Sequence, residues 1–224
     1  MRFPPLIEAK FLRRVNRFVC EVEIDGCIQR ALIRNTGRLK ELLYEGNKVF
    51  VKEKNKGKYG YEILLASYGK NLVCIDSQIP PKLLKEAVEK RNINYGTIFY
   101  IKLEPNFGGS RFDLFIDSDR GRFVIETKSV NLVKNGVGLF PDAPTERGRK
   151  HIRKLMDMLN TYRAEVIFII QREDAVCFAP NGEVDESFKK ILIEFKDKGG
   201  TVKAYKCRVS LKSIYIDREV PLCF

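Results

Sequence analysis

The chain has 224 residues, 44% of them hydrophobic, with 41 Lys+Arg against 29 Asp+Glu and a formal charge of +12. That length and apolar content can bury a real core, which excludes a disordered chain, and no apolar run approaches the roughly 18 residues that span a bilayer. Pro-Pro and charges in MRFPPLIEAKFLRR stand where a signal peptide carries its apolar segment, so a soluble, cytoplasmic protein is expected, with nucleic acid rather than a membrane as its polyanionic partner.

The first eighty residues read as β-structure. Apolar-rich runs at 6–12, 17–24, 28–33, 48–51, 61–66 and 72–75 are separated by the turn signals Asp25-Gly26, Asn35-Thr36-Gly37, Asn55-Lys56-Gly57 and Gly69. A short helix is predicted at 38–44. Five or six short strands in this length suit a small closed barrel of the OB type. The segment holds 15 Lys+Arg against 9 Asp+Glu, while the remaining 144 residues hold 26 against 20. Each part is therefore +6, and positive charge is denser in the barrel. In VKEKNKGKYGYE (51–62), Lys54, Lys56 and Lys58 interleave with tyrosines, as in a hairpin that touches a nucleic-acid strand or in a solvated tip.

Ser77-Gln78-Ile79-Pro80-Pro81 reads as a linker dividing residues 1–80 from 81–224. The double proline can start a helix at 82–91, with Leu83, Leu84, Ala87 and Val88 at helical spacing. Strands are predicted at 97–103, 111–117 and 122–128. A loop at 131–144, rich in Gly and Asn, is either a cover for an active site or a long mobile connection. The helix at 146–159 carries the apolar stripe Ile152, Leu155, Met156 and Leu159, with Arg147, Lys150, His151 and Lys154 on a separate basic stripe. That stripe is read as a phosphate-contacting surface, with a solvated basic face as the plainer alternative, and the role of His151 stays open. Strands at 164–170 and 175–178, a helix at 185–198 ending at Gly199-Gly200, and a strand at 201–208 complete the chain. The order αβββαβ describes a helix-flanked mixed sheet.

Chemistry concentrates in RFDLFIDSDRGRFVIETKS (111–129). Its two apolar runs, joined by Ser118-Asp119-Arg120-Gly121, predict a β-hairpin. Side chains two apart on a strand share a face, so Glu126 and Lys128 point the same way and the hairpin can bring Asp113 beside them. Two acids and a lysine at a strand end suit a divalent cation and a phosphate; a cross-strand ion pair at a solvated sheet edge is the plainer alternative. Glu-x-Lys occurs three times, and only this copy follows a strand-like run with an acid on the preceding strand. Six scattered cysteines with no C-x-x-C pair are expected to be buried reduced thiols rather than disulfides. The single histidine excludes a zinc finger, which leaves an oxygen-ligated metal, Mg²⁺ or Mn²⁺.

An acid on the second core strand and E-x-K on the third resemble the PD-(D/E)XK nuclease superfamily. The segments Asn35-Thr36-Gly37, Arg111-Phe112-Asp113, Glu126-Thr127-Lys128-Ser129 and FPDAPTERGRKH (140–151) resemble, across essentially the whole chain, the sugar fermentation stimulation protein A family. The resemblance implies an α+β protein of two domains: an N-terminal OB-fold-like barrel and a restriction-endonuclease-like α/β domain with a mixed central sheet. It implies DNA binding without sequence preference, with RNA also open because OB-folds accept either nucleic acid, and a possible part in regulating sugar (maltose) metabolism. Carried over by residue, it makes Asp113 and Glu126 cation ligands, Lys128 the residue that orients water or steadies phosphate charge, and the Thr127 backbone carbonyl a further ligand. Glu104 becomes an extra carboxylate acting through water. Phe112 replaces the superfamily's proline, and Thr127 replaces a commoner apolar residue whose side chain should face away from the metal. Two readings follow: a Mg²⁺-dependent nuclease, or a non-enzymatic DNA-binding regulator that retains a nuclease-like scaffold.

Overall fold

Alternation of inward apolar and outward polar residues builds the first unit in the computed structural model, which describes residues 1–224. Its strands are β1 (Ile7–Asn16), β2 (Val19–Ile24), β3 (Cys27–Leu32), β4 (Lys48–Glu53), β5 (Tyr61–Tyr68) and β6 (Asn71–Cys74), paired in the order β3-β2-β1-β4-β5-β6. A parallel pairing of Ala31 with Tyr61 and Leu32 with Glu62 joins β3 to β5 and closes five strands into the expected OB barrel. Phe11, Val22, Val49, Val51 and Ile63 fill its interior. The helix predicted at 38–44 is a turn. Leu39 takes φ 50, outside the right-handed region, and Leu39 and Leu42 bury their side chains in the barrel core instead of continuing a helix.

The expected linker is firmly attached. Ser77 N–H donates to the Arg34 carbonyl, and the Gln78 N–H to Asp76 Oδ1 at 2.8 Å. Pro80 and Pro81 open α1 (Pro80–Glu89), where a missing N–H costs nothing. The apolar face of α1 enters a core shared by both units, with Phe50, Leu65 and Cys74 from the barrel and Ile116, Ile167 and Tyr205 from the second sheet.

The second unit comprises β7 (Ile98–Leu103), β8 (Asn106–Phe107), β9 (Ser110–Arg111), β10 (Leu114–Ser118), β11 (Gly121–Val130), β12 (Leu132–Lys134), β13 (Val137–Phe140), α2 (Glu146–Asp157), β14 (Arg163–Ile170), β15 (Cys177–Pro180), α3 (Glu186–Asp197), β16 (Thr201–Val209) and β17 (Ile214–Val220). The main sheet runs β17-β16-β14-β11-β10-β7, with β11, β14 and β16 parallel and the flanking strands antiparallel. The predicted αβββαβ order is thus α1-β7-β10-β11-α2-β14, with two short hairpins inserted. Ile152 and Leu155 of α2 and Phe188 and Leu192 of α3 cover one face, over Val124, Val166 and Phe168. No helix is long and apolar enough to cross a membrane.

Three expectations need correction. The long mobile connection at 131–144 is instead an ordered β12–β13 hairpin whose second strand pairs in parallel with β15, because its backbone groups find partners on a neighbouring strand. Strand β17 was not anticipated. Cys177 and Cys223 form a disulfide with their Cα atoms 6.0 Å apart: the Phe178 N–H bonds to the Pro221 carbonyl and the Cys223 N–H to the Phe178 carbonyl, which lays the tail beside β15. Cys20, Cys74 and Cys207 are buried free thiols as expected, and Cys27 is exposed.

Arg172 ties the two units together. Its fully buried guanidinium makes two 2.6 Å bonds to Asp174, donates to the Asn131 carbonyl at 2.9 Å, and lies 4.3 Å from the ring centre of barrel residue Tyr68. Removing one member of such a buried pair costs about 3–5 kcal/mol. Arg172→Ala is expected to lose stability on that scale in urea denaturation, and a change below about 1 kcal/mol would show the contact to be incidental.

Candidate nuclease-like active site

The site forms where β10 and β11 diverge. The last cross-strand pair at that end is Leu114 with Ile125, so Asp113 and Glu126 stand next to one another just beyond it. Asp113 is half-buried, and its Oδ2 accepts two 2.7 Å bonds from Thr127, one from the backbone N–H and one from the hydroxyl. The Thr127 side chain turns to Asp113, and its hydroxyl takes a carboxylate partner that a valine could not. Within a strand the N–H and C=O of one residue point toward the same neighbour, so the Thr127 carbonyl also faces the Asp113 side.

Glu126, Thr127 and Lys128 are buried on β11. Lys128 Nζ lies 2.5 Å and His151 Nδ1 2.7 Å from the same Glu126 oxygen, Oε1. A carboxylate only accepts, so Nδ1 carries the hydrogen in this contact. The other oxygen, Oε2, is buried and has no hydrogen-bond partner. Burial alone would raise the Glu126 pKa, but Lys128 and His151 outweigh it and hold the carboxyl below its usual range. Burial, then the Glu126 charge, push Asp113 up to about 6, against the pull of Lys128 and the Thr127 bonds.

Helix α2 is placed by its cap. The Thr145 hydroxyl accepts from the Gly148 N–H at 3.1 Å, and Glu146 occupies the positive end of the helix dipole. A side chain on Gly148 would collide with Thr145, since an added Cβ would sit 2.8 Å from its hydroxyl oxygen. Arg147 and His151, one turn apart, share a face: His151 reaches Glu126 and Arg147 lines the cleft. His151 thus belongs to the carboxylate site, not to an outer basic stripe. Lys150 and Lys154 do not line the cleft, and Lys54, Lys56 and Lys58 sit at the far β4–β5 loop of the barrel, also outside it. Glu104 is exposed at the cleft rim, 3.6 Å from Arg111.

The cleft encloses about 770 Å³ between barrel and sheet. Sequence reasoning missed three of its cations, Arg17 at the β1–β2 turn, Lys82 on α1 and Arg111 on β9; all are exposed residues in segments whose periodicity reports burial only. No three His, Cys, Asp or Glu side chains converge as a closed metal cage. What the site offers is a two-carboxylate oxygen set: the unpartnered Glu126 Oε2, Asp113, and the nearby Thr127 carbonyl. Hard divalent cations that keep several waters suit such a set.

A family model described as the sugar fermentation stimulation protein RE domain matches residues 78–213, and another, the SfsA N-terminal OB domain, matches 12–75. The chain belongs to the sugar fermentation stimulation protein family. A homolog from Aquifex aeolicus is 48% identical over 216 residues, covering 96% of this chain and 97% of its own. One from Natranaerobius thermophilus is 40% identical, covering 97% and 94%. A solved structure, Pyrococcus furiosus SfsA in complex with Ca²⁺, superposes with a TM-score of 0.93 at 32% identity over 100% of this chain and 98% of that one. The family and the pairing of an OB barrel with a nuclease-like mixed sheet stand as the sequence implied.

The raised Asp113 carboxyl yields a pH prediction. With a folded value of about 6 against an ordinary 3.8, protonation favours the folded state; that stabilisation is complete below about 3.8 and lost as pH rises through about 6. In chelator, Asp113→Asn is expected to melt higher than wild type at pH 7.5 (about neutral, above the titration) and to match it near pH 4. Added Mg²⁺ should raise the wild-type melting temperature and leave the Asn variant unmoved. Equal responses of both proteins would remove Asp113 from the cation set.

Proposed function

We propose that the protein binds DNA in this cleft and hydrolyses phosphodiester bonds there with Mg²⁺ or Mn²⁺. The observation that carries the reading is the buried, unpartnered Glu126 Oε2 beside Asp113, in a cleft rimmed by Arg17, Lys82, Arg111 and Arg147. A lone carboxylate oxygen desolvated this way is costly unless a cation answers it. The Pyrococcus furiosus relative was solved with Ca²⁺, an oxygen-seeking ion of the same class.

Asp113 and Glu126, with the Thr127 carbonyl, would hold the ion. When bound, it polarises the phosphoryl group and lowers the pKa of its water. His151 fixes the rotamer of Glu126 through Nδ1. The Lys128 ammonium, already desolvated beside Glu126, presents its remaining protons to a non-bridging phosphate oxygen and steadies the charge that develops there. Rim cations take the flanking phosphates. Thr127 fixes the Asp113 carboxylate through its paired bonds.

A second reading, DNA binding without turnover, draws on the pairing of Lys128 with Glu126, which spends both charges on one another. Incubation with single- and double-stranded DNA and RNA in Mg²⁺ or Mn²⁺ separates the two. Cleavage is expected in wild type and is expected to fall at least about a hundredfold in Asp113→Ala and Lys128→Ala. Cleavage that persists in the Asp113 variant would sink the assignment, and binding without cleavage of any substrate would establish the second reading. Binding itself should weaken with salt. Phosphate contacts at four rim cations predict a log–log slope of about −3, and a slope near zero would exclude the cleft as the phosphate surface.

A further inference from the structure

Four aromatic rings lie together at the open edge of the main sheet, outside the cleft described above. Tyr100 on β7 approaches Phe115 on β10 with ring centres 6.3 Å apart, Phe115 approaches Phe107 of the β8–β9 hairpin at 5.6 Å, and Phe107 meets Tyr162 at 5.2 Å. Phe107, Phe115 and Tyr162 are half-buried, while Tyr100 is 52% exposed. An edge strand is usually blunted with charge, so an open tyrosine backed by three packed rings is a costly use of such a position. One open ring continued by three partly accessible ones, with charged neighbours, suits a binding surface.

Charge argues which occupant this surface takes. Exposed Lys102 pairs across the sheet with Phe115, and the Arg122 guanidinium lies 5.3 Å from the Tyr162 ring centre. Asp117 sits between Tyr100 and Arg122 in the register and offsets part of that charge, which leaves Lys102 and Arg122 as the flanking cations. The patch also lies on the path to the site. Asp113 immediately precedes β10 and Phe115 lies two residues further on, about 7 Å along an extended chain.

We infer that the Tyr100–Phe115–Phe107–Tyr162 surface is a stacking platform for the bases of a single-stranded nucleic acid whose backbone continues into the cleft at Asp113. The inference rests on the DNA-binding reading above and deepens it by naming the form of the nucleic acid. Base faces are accessible in a single strand and covered by neighbouring pairs in a duplex, so rings of this kind reward only the former. Every base has a π-face, which makes the platform indifferent to sequence.

The test uses the full chain in chelator, so that nothing is cut. Fluorescence anisotropy measures binding of a labelled mixed-sequence oligonucleotide, either single-stranded or annealed to its complement. Tyr100→Ala, at an exposed site where folding is not at stake, is expected to weaken single-strand binding at least roughly fivefold and to change duplex binding less than about twofold. Tyr100→Phe keeps the ring and should restore wild-type affinity. Unchanged single-strand affinity in Tyr100→Ala, or an equal loss on both forms, would overturn the platform while leaving DNA binding in the cleft intact. Wild type that binds neither form would overturn both readings. Sedimentation closes the remaining route: a wild-type dimer that Tyr100→Ala dissociates would assign the patch to contact between copies and overturn the platform.

Discussion

The cleft exists because a buried amide pair bolts the barrel to the nuclease-like sheet. Asn35, in the segment after β3, donates to Asn131 Oδ1 at 2.9 Å and to the Ile75 carbonyl at 2.8 Å, and Asn131 returns a bond to the Cys74 carbonyl at 2.6 Å. Gln171 adds a bridge from Ser129 to the Asp76 carbonyl. Both asparagines are buried, so each unmade bond would leave a desolvated amide, and the geometry is held by that penalty more than by the net value of the bonds. Asn131 follows directly on β11, three residues beyond Lys128. The same contact that joins the units therefore fixes the distance between the E-x-K strand and the barrel rim.

A second contact sets the other wall of the cleft. Asp142, in the segment after β13, accepts from the Leu39 N–H at 3.2 Å and packs against Gly37 so closely that an added Cβ would lie 2.4 Å from its Oδ2. Gly37 is used here for space, not for backbone freedom. Its carbonyl takes a 2.6 Å bond from Arg14, which braces the turn from the β1 side. The strings Asn35-Thr36-Gly37 and FPDAPTERGRKH, far apart in the chain, are thus two sides of one junction, and the second string continues into the α2 cap that delivers Arg147 and His151. The shared apolar core around α1 supplies the bulk of the attachment, while these polar contacts supply its register.

The readable parts of this fold are those whose information is local. Alternation gave the barrel strands, helical spacing gave α1, α2 and α3, and the hairpin turn put Asp113 beside Glu126. The failures have a common physical origin, in that the deciding contact is distant in sequence. Leu39 has the composition of a helix residue, and only its burial in the barrel explains its positive φ. The β12–β13 segment has loop composition and becomes a hairpin because β15, some forty residues later, offers it a parallel partner. Cys177 and Cys223 look like two more isolated thiols until the tail is laid along β15. His151 showed the same limit within the site. Periodicity placed it on a basic stripe, and only the approach of α2 to β11 reveals that its partner is a carboxylate.

That partnership also bears on what kind of site this is. Glu126 has two oxygens with opposite surroundings: one is doubly held by Lys128 and His151, the other is buried and unanswered. A desolvated oxygen without a donor costs stability, and a bound cation would offset that cost. Asp113 shows the same asymmetry, with Thr127 occupying Oδ2 alone. Each carboxylate is thus restrained through one oxygen, and the pair has been oriented without being used up. Such preorganisation costs little when the restraints come from rigid elements, and here they come from a central strand and a capped helix. A ligand that answers the open oxygens therefore meets two carboxylates already held in place by β11 and α2.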